Sequence, residues 1–208
     1  MARPLLSIPD REALQAAVRT LERESGAELV IAVHEHSGSY LHAELLAACA
    51  AGVLSLLALA YLPWDFGEAW FVVGPVLAGG AAAAVASRWR LLRRVLTPER
   101  ERRRRAETVA RSLFVEKRIH RTSHRTGLLL YVSLVEREAV VVPDLGLEAL
   151  THTAAWTVAV RKIAAAVARG GNGVEIAAAT ADLAALLRRA IGRRDDDVQE
   201  IPDEVSEQ

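Results

Sequence analysis

The hydrophobic positions change period several times along this chain, and each change predicts a different element. Behind Ser7, with Asp10 three residues later in a capping-box-like start, Leu14, Ala17, Val18 and Leu21 recur at the spacing of one helical face. Gly26 is placed to end that helix. Residues 29–33 then form an unbroken apolar run with β-branched members, the pattern of a strand buried on both faces. The chain therefore opens helix, then strand.

The middle of the chain has no polar period. Residues 43–62 carry one charge, Glu44 at the edge, and at 1.5 Å per residue they make about 30 Å of helix, the thickness of a hydrocarbon core. Pro63, Trp64, Asp65, Phe66 and Gly67 make a turn, and residues 70–87 are a second uncharged run, rich in alanine and glycine. Tyr61, Trp64 and Trp70 cluster at the tip and Trp89 stands at the far end, where amphipathic rings favour a membrane interface. The competing reading is a buried hairpin in a soluble bundle. Such helices show a polar face, and these show none.

Beyond the hairpin, ordinary periods return. Thr97 and Pro98 suit an N-cap and first helical position, and Ala106, Val109, Ala110, Leu113 and Phe114 supply the apolar stripe of a helix running to about residue 118, with arginine on its other face. Residues 128–134 and 139–142 read as two strands joined by a polar turn at 135–138, with Pro143 closing the β-hairpin. Two Ala-rich helices, 151–169 and 174–191, flank the break Gly170, Gly171, Asn172, Gly173. From Asp195 the chain is acidic and aperiodic, and a disordered tail is expected. The predicted organisation is an N-terminal part of an α/β domain at 1–42, a transmembrane hairpin at 43–87, the C-terminal part at 88–191 and the tail at 192–208.

Charge adds direction to this plan. The 26 basic and 26 acidic residues balance overall, yet residues 1–87 carry 4 Lys and Arg against 9 Asp and Glu, residues 88–125 carry 14 against 4, and the remainder 8 against 13. Arg88, Arg90, Arg93 and Arg94 follow the second span directly, whereas the tip holds only Asp65 and Glu68, so the basic end is expected on the cytoplasmic side. A hairpin returns the chain to the side it left, which lets the two halves of the domain pair. The same four arginines are the expected contacts for anionic lipid, each gaining about 1 kcal/mol near the surface. The run at 100–105 lacks interleaved aromatics, and no nucleic-acid partner is expected from it. The first fifteen residues include Asp10, Arg11 and Glu12 and lack the apolar core of a secretory signal. The lone Cys49 excludes an intrachain disulfide and a multi-cysteine metal site.

The order of elements, with Ser25-Gly26-Ala27-Glu28-Leu29-Val30-Ile31 at the first strand, Arg125-Thr126-Gly127-Leu128-Leu129-Leu130-Tyr131 at the second, Glu136-Arg137 at the turn and Asp144-Leu145-Gly146-Leu147-Glu148 after the third, resembles the TPM domain family. The resemblance covers roughly residues 7–36 and 97–191 and is most specific at 125–148. It implies a three-layer α/β/α sandwich around a small mixed sheet, here interrupted by the membrane hairpin. It also implies two activities, weak acid phosphatase action and divalent-metal binding, although many members have no established activity.

Chemistry-bearing residues are few. Asp144 and Glu148, with Glu136 and Glu138 nearby in sequence, are the candidate oxygen ligands for Ca²⁺ or Mg²⁺, and a metal there would polarise a phosphoryl oxygen. The alternative is that Asp144 caps the turn at Gly146 and the glutamates solvate a hairpin tip. His120 and His124 are spaced to share a helical face, and His34 and His36 to share a strand face, but neither pair has a third ligand at a zinc spacing. No nucleophile elbow, phosphate-binding loop or dinucleotide fingerprint is present. The reading that follows is a membrane-anchored, non-catalytic binding or assembly factor for a membrane-protein partner at the inner membrane, with a metal-dependent phosphatase as the alternative.

Overall fold

The computed structural model describes residues 5–38, 41–63, 66–88, 97–192 and 205–207. Its elements are α1 (Ile8–Glu24), β1 (Glu28–His34), α2 (Leu41–Tyr61), α3 (Trp70–Arg88), α4 (Glu99–Glu116), β2 (Gly127–Ser133), β3 (Glu138–Pro143), the single turn α5 (Glu148–Thr151), α6 (Ala154–Ala168), α7 (Gly173–Ala179), α8 (Ala181–Ala190) and β4 (Val205–Glu207). Short 3₁₀ turns at Ile119–Arg121 and Leu145–Leu147 precede β2 and α5. The chain divides into two compact units, residues 1–37 with 102–208, and residues 38–101.

The first unit is an α/β domain built on a mixed sheet in the order β3-β2-β1-β4. β1 and β2 are parallel, from Glu28 opposite Gly127 to His34 opposite Ser133. Parallel neighbours need a long connection, and here it contains the whole second unit and α4. β3 runs antiparallel to β2, with Val140 opposite Tyr131. Alternation along the two central strands makes two apolar faces. Leu29, Ile31, Leu128 and Leu130 face one way, onto Leu14, Val18 and Leu21 of α1 and onto Trp156 and Ile163 of α6. Val30, Ala32, Leu129 and Tyr131 face the other way, onto Ala106, Ala110 and Leu113 of α4. Helices thus cover both faces, which is why these strands are continuous apolar runs rather than alternating ones.

Helix starts follow local chemistry. The Ser7 hydroxyl accepts from the Asp10 N–H, that of Thr153 from Trp156 N–H at 3.2 Å, and the Asn172 side chain from Glu175 N–H at 2.9 Å. Gly170, at φ +79°, turns the chain out of α6, and the Arg137 guanidinium lies against it.

Three expectations need correction. The helix expected over 174–191 is two helices, because Thr180 holds ψ near −12° and its hydroxyl donates back to the Ala177 carbonyl at 2.7 Å. The helix expected from 151 begins at Ala154, since Thr153 takes the N-cap position. Part of the tail expected to be disordered is a strand: Val205–Glu207 pairs parallel with Ile31–Val33 along the outer edge of β1. That edge offers a row of backbone groups which local sequence does not reveal. The rest of the tail lies outside the described residues.

Candidate functional site

The second unit is the helical hairpin. The window Glu44–Tyr61 has mean hydropathy 1.9 and none of it is buried; Trp70–Arg88 has mean hydropathy 1.6 with 11% buried. Each is about 27 Å or more in length, long and apolar enough to cross a membrane. The two helices close on each other through small residues. A Cβ at Gly79 would sit 3.0 Å from the Ala48 carbonyl oxygen, and one at Gly74 3.1 Å from Leu59 Cδ1. Large side chains point away from this seam: Leu54, Val72 and Val76 are 65–70% exposed. A core helix of a soluble protein buries such side chains, each worth about 1.5–3 kcal/mol. Here they have no protein cover among the described residues. Arg88 closes α3 and is exposed, while Arg90, Arg93 and Arg94, together with Trp64, Asp65 and Trp89, lie outside the described residues.

In the α/β unit, the acidic residues expected to share a cation are not brought together. Glu136 stands before β3 and Asp144 after it, and six residues of strand separate them by roughly 20 Å. Glu148 is exposed on α5. The Asp144 carboxylate accepts from Leu145 N–H at 2.8 Å and pairs with Arg125 Nε at 3.4 Å. The turn it caps presses on the preceding loop, where a Cβ at Gly146 would meet the His124 carbonyl at 2.6 Å. The Asp-x-Gly motif is accounted for by this packing. Among the described residues, no three of His, Cys, Asp and Glu are grouped to hold a metal ion.

Glu136 instead belongs to a buried polar cluster at the carboxyl ends of β1 and β2. Its carboxylate accepts from the Ser37 N–H at 2.8 Å and from the Ser133 hydroxyl. Ser37 Oγ lies 3.0 Å from the Tyr131 hydroxyl, and the Tyr131 ring meets the edge of the His34 imidazole at a centroid distance of 5.2 Å. Burial raises the Tyr131 phenol above its ordinary range, with Glu136 adding to the shift and the hydroxyls of Ser37 and Ser133 opposing it. Burial likewise lowers the His34 imidazole, helped by Lys117 and His36 and opposed by Glu116. His34 is 9% exposed and its Nε2 has no hydrogen-bond partner among the described residues. The cluster ties the β2–β3 turn to Ser37, the last residue of its unit before the hairpin.

Comparison with known proteins adds fold but not activity. No family model matches this sequence, and no curated protein matches it. Among solved structures the chain is similar to the BA42 protein of the psychrophilic bacterium Bizionia argentinensis, determined by NMR, with TM-score 0.60 over 100% of this chain and 99% of that one at 12% identity. At that identity the likeness speaks to fold alone.

The expected histidine pairs take separate roles. His120 lies against the Phe114 ring at 6.4 Å in the turn after α4, and His34 joins the polar cluster. Sequence reading missed the cluster, although a signal was present: Tyr131 and Ser133 stand two apart in an otherwise apolar strand, and so share a face. Nothing in the sequence alone placed His34 opposite Ser133.

Proposed function

We propose that this protein is a membrane-anchored assembly factor. In this reading the α2–α3 hairpin crosses the bilayer, a TPM-like α/β/α domain lies on the cytoplasmic side of the inner membrane, and that domain binds a membrane-protein partner without catalysis. The outward exposure of the hairpin's large apolar side chains carries the proposal. In water that surface drives aggregation, and in a bilayer it meets acyl chains. Two lines support the finer points. The basic residues after α3, against the acidic tip, favour a cytoplasmic domain. The order of elements and the 125–148 motifs support the TPM likeness, as do the helices on both sheet faces.

The test combines extraction and labelling. The full chain in native membranes should resist alkaline carbonate. In a Cys49→Ser background, Gly67→Cys should react with an impermeant maleimide in sealed cells while Ser206→Cys stays protected. Release by carbonate removes the anchor reading, and the reverse labelling pattern removes the cytoplasmic placement.

A further inference from the structure

Positions 104, 108, 111 and 115 follow one another at intervals of four, three and four, so Arg104, Thr108, Arg111 and Val115 form one line along α4. It runs opposite the buried Ala106, Ala110 and Leu113. All four are exposed, Val115 by 62%. Beyond the helix end, Arg118 and Arg121 are exposed as well. Three nearby arginines are paired with acids: Arg102 with Glu138, Arg103 with Glu107 at 3.3 Å, and Arg125 with Asp144. The guanidinium groups of Arg104, Arg111, Arg118 and Arg121 have no partner among the described residues. Solvated helix faces ordinarily mix the two signs. This line has one sign, with an exposed apolar side chain among the cations.

We infer that the outer line of α4, with Arg118 and Arg121, is a docking surface for the phosphate headgroups of an anionic bilayer. Four guanidinium groups without a partner among the described residues match phosphodiester charge, and Val115 between them in the chain suits the headgroup and acyl boundary. Nucleic acid is the other polyanion to weigh. Its single strands are held by exposed aromatic rings, and this line has none, since Phe114 is half-buried and faces His120. The place of α4 in the chain favours lipid too, because only residues 89–98 separate it from the end of α3. In that respect the inference rests on the membrane-anchor reading above.

The experiment uses the full chain carrying Cys49→Ser and Val115→Cys, with a polarity-sensitive fluorophore on the new thiol. The chain is reconstituted in nanodiscs of phosphatidylcholine alone or of phosphatidylcholine with phosphatidylglycerol. The expected result is a blue shift only in discs with phosphatidylglycerol, reversed by high salt. Each of Arg104→Gln, Arg111→Gln, Arg118→Gln and Arg121→Gln should lower the docked-to-free ratio about fivefold at low salt. Arg103→Gln, whose side chain already pairs with Glu107, should change it less. Equal emission in both lipid compositions overturns the inference, as does a shift that survives the four glutamines together. A shift produced in neutral discs by an RNA oligonucleotide, with none from anionic lipid, overturns it in favour of nucleic acid. Incorporation into neutral discs reports on the hairpin separately. A chain that stays in solution removes the anchor reading, and titrating the same probe with phosphatidylglycerol vesicles then still decides the arginine line.

Discussion

Replacing Glu136 by alanine tests whether the buried cluster holds the end of β1 in place. Glu136 is 1% exposed, and its carboxylate takes the Ser37 N–H at 2.8 Å together with the Ser133 hydroxyl, itself fully buried. Removing the acceptor leaves two donors out of reach of water, at about 1–3 kcal/mol each. Relief from burying a carboxylate offsets part of that cost. The net loss should be about 2–4 kcal/mol, a large share of the stability of a domain this size. Glu136→Gln keeps one acceptor oxygen but turns an amide donor toward the other partner, and about 1–2 kcal/mol is expected. Ser133→Ala removes the hydroxyl that Glu136 and Tyr131 share and should cost about 1 kcal/mol. The assay is chemical unfolding of the full chain in detergent micelles, followed by Trp156 fluorescence with Trp64, Trp70 and Trp89 replaced by phenylalanine. Hydrogen exchange at the Ser37 amide should accelerate in parallel. The reasoning fails if Glu136→Ala costs less than about 1 kcal/mol, or if glutamine proves as damaging as alanine.

Three further outcomes are expected. His34 is held below its ordinary value of 6.5, so the unfolded chain binds the proton more readily than the folded one; the stability it contributes is complete above pH 6.5 and is lost as pH falls from there through the lowered folded value. An NMR titration of the imidazole and unfolding curves between pH 7 and 5 check this, and His34→Gln should flatten the dependence. In the hairpin, Gly79→Ile places a side chain against the Ala48 carbonyl and should separate the helices, whereas Gly80→Ala, with nothing among the described residues within 4 Å of its Cβ, should be neutral; cysteine cross-linking between α2 and α3 distinguishes them. Asp144→Asn loses the pair with Arg125 but keeps an acceptor for Leu145 N–H, so it should cost about 1 kcal/mol in stability. Phosphate release from a model phosphomonoester, with or without Mg²⁺, should be absent in both forms; release by the native chain that Asp144→Asn abolishes would restore the phosphatase reading.

By itself the sequence determined the elements whose signal is local. The 3.6-residue stripe of α1, the unbroken apolar runs of β1 and β2, and the two long uncharged helices are all written in consecutive residues, and their hydrophobic periods do not depend on partners. The antiparallel β2–β3 pair was equally legible, because one short polar turn joins two apolar runs. Tertiary structure decided what depends on neighbours far apart in the chain. Glu136 and Asp144 look close in sequence, yet an extended strand holds them at opposite ends, while Ser37 and Tyr131 meet across 94 positions because β1 and β2 run parallel. Val205–Glu207 carries no strand signal of its own and is ordered by the open edge of β1, and the Arg104 to Val115 line became a surface only once Ala106, Ala110 and Leu113 had turned the opposite face of α4 inward. Local pattern fixes secondary structure through backbone geometry and burial, whereas a site is a meeting of side chains, which only the packing of the sheet and its helices brings about.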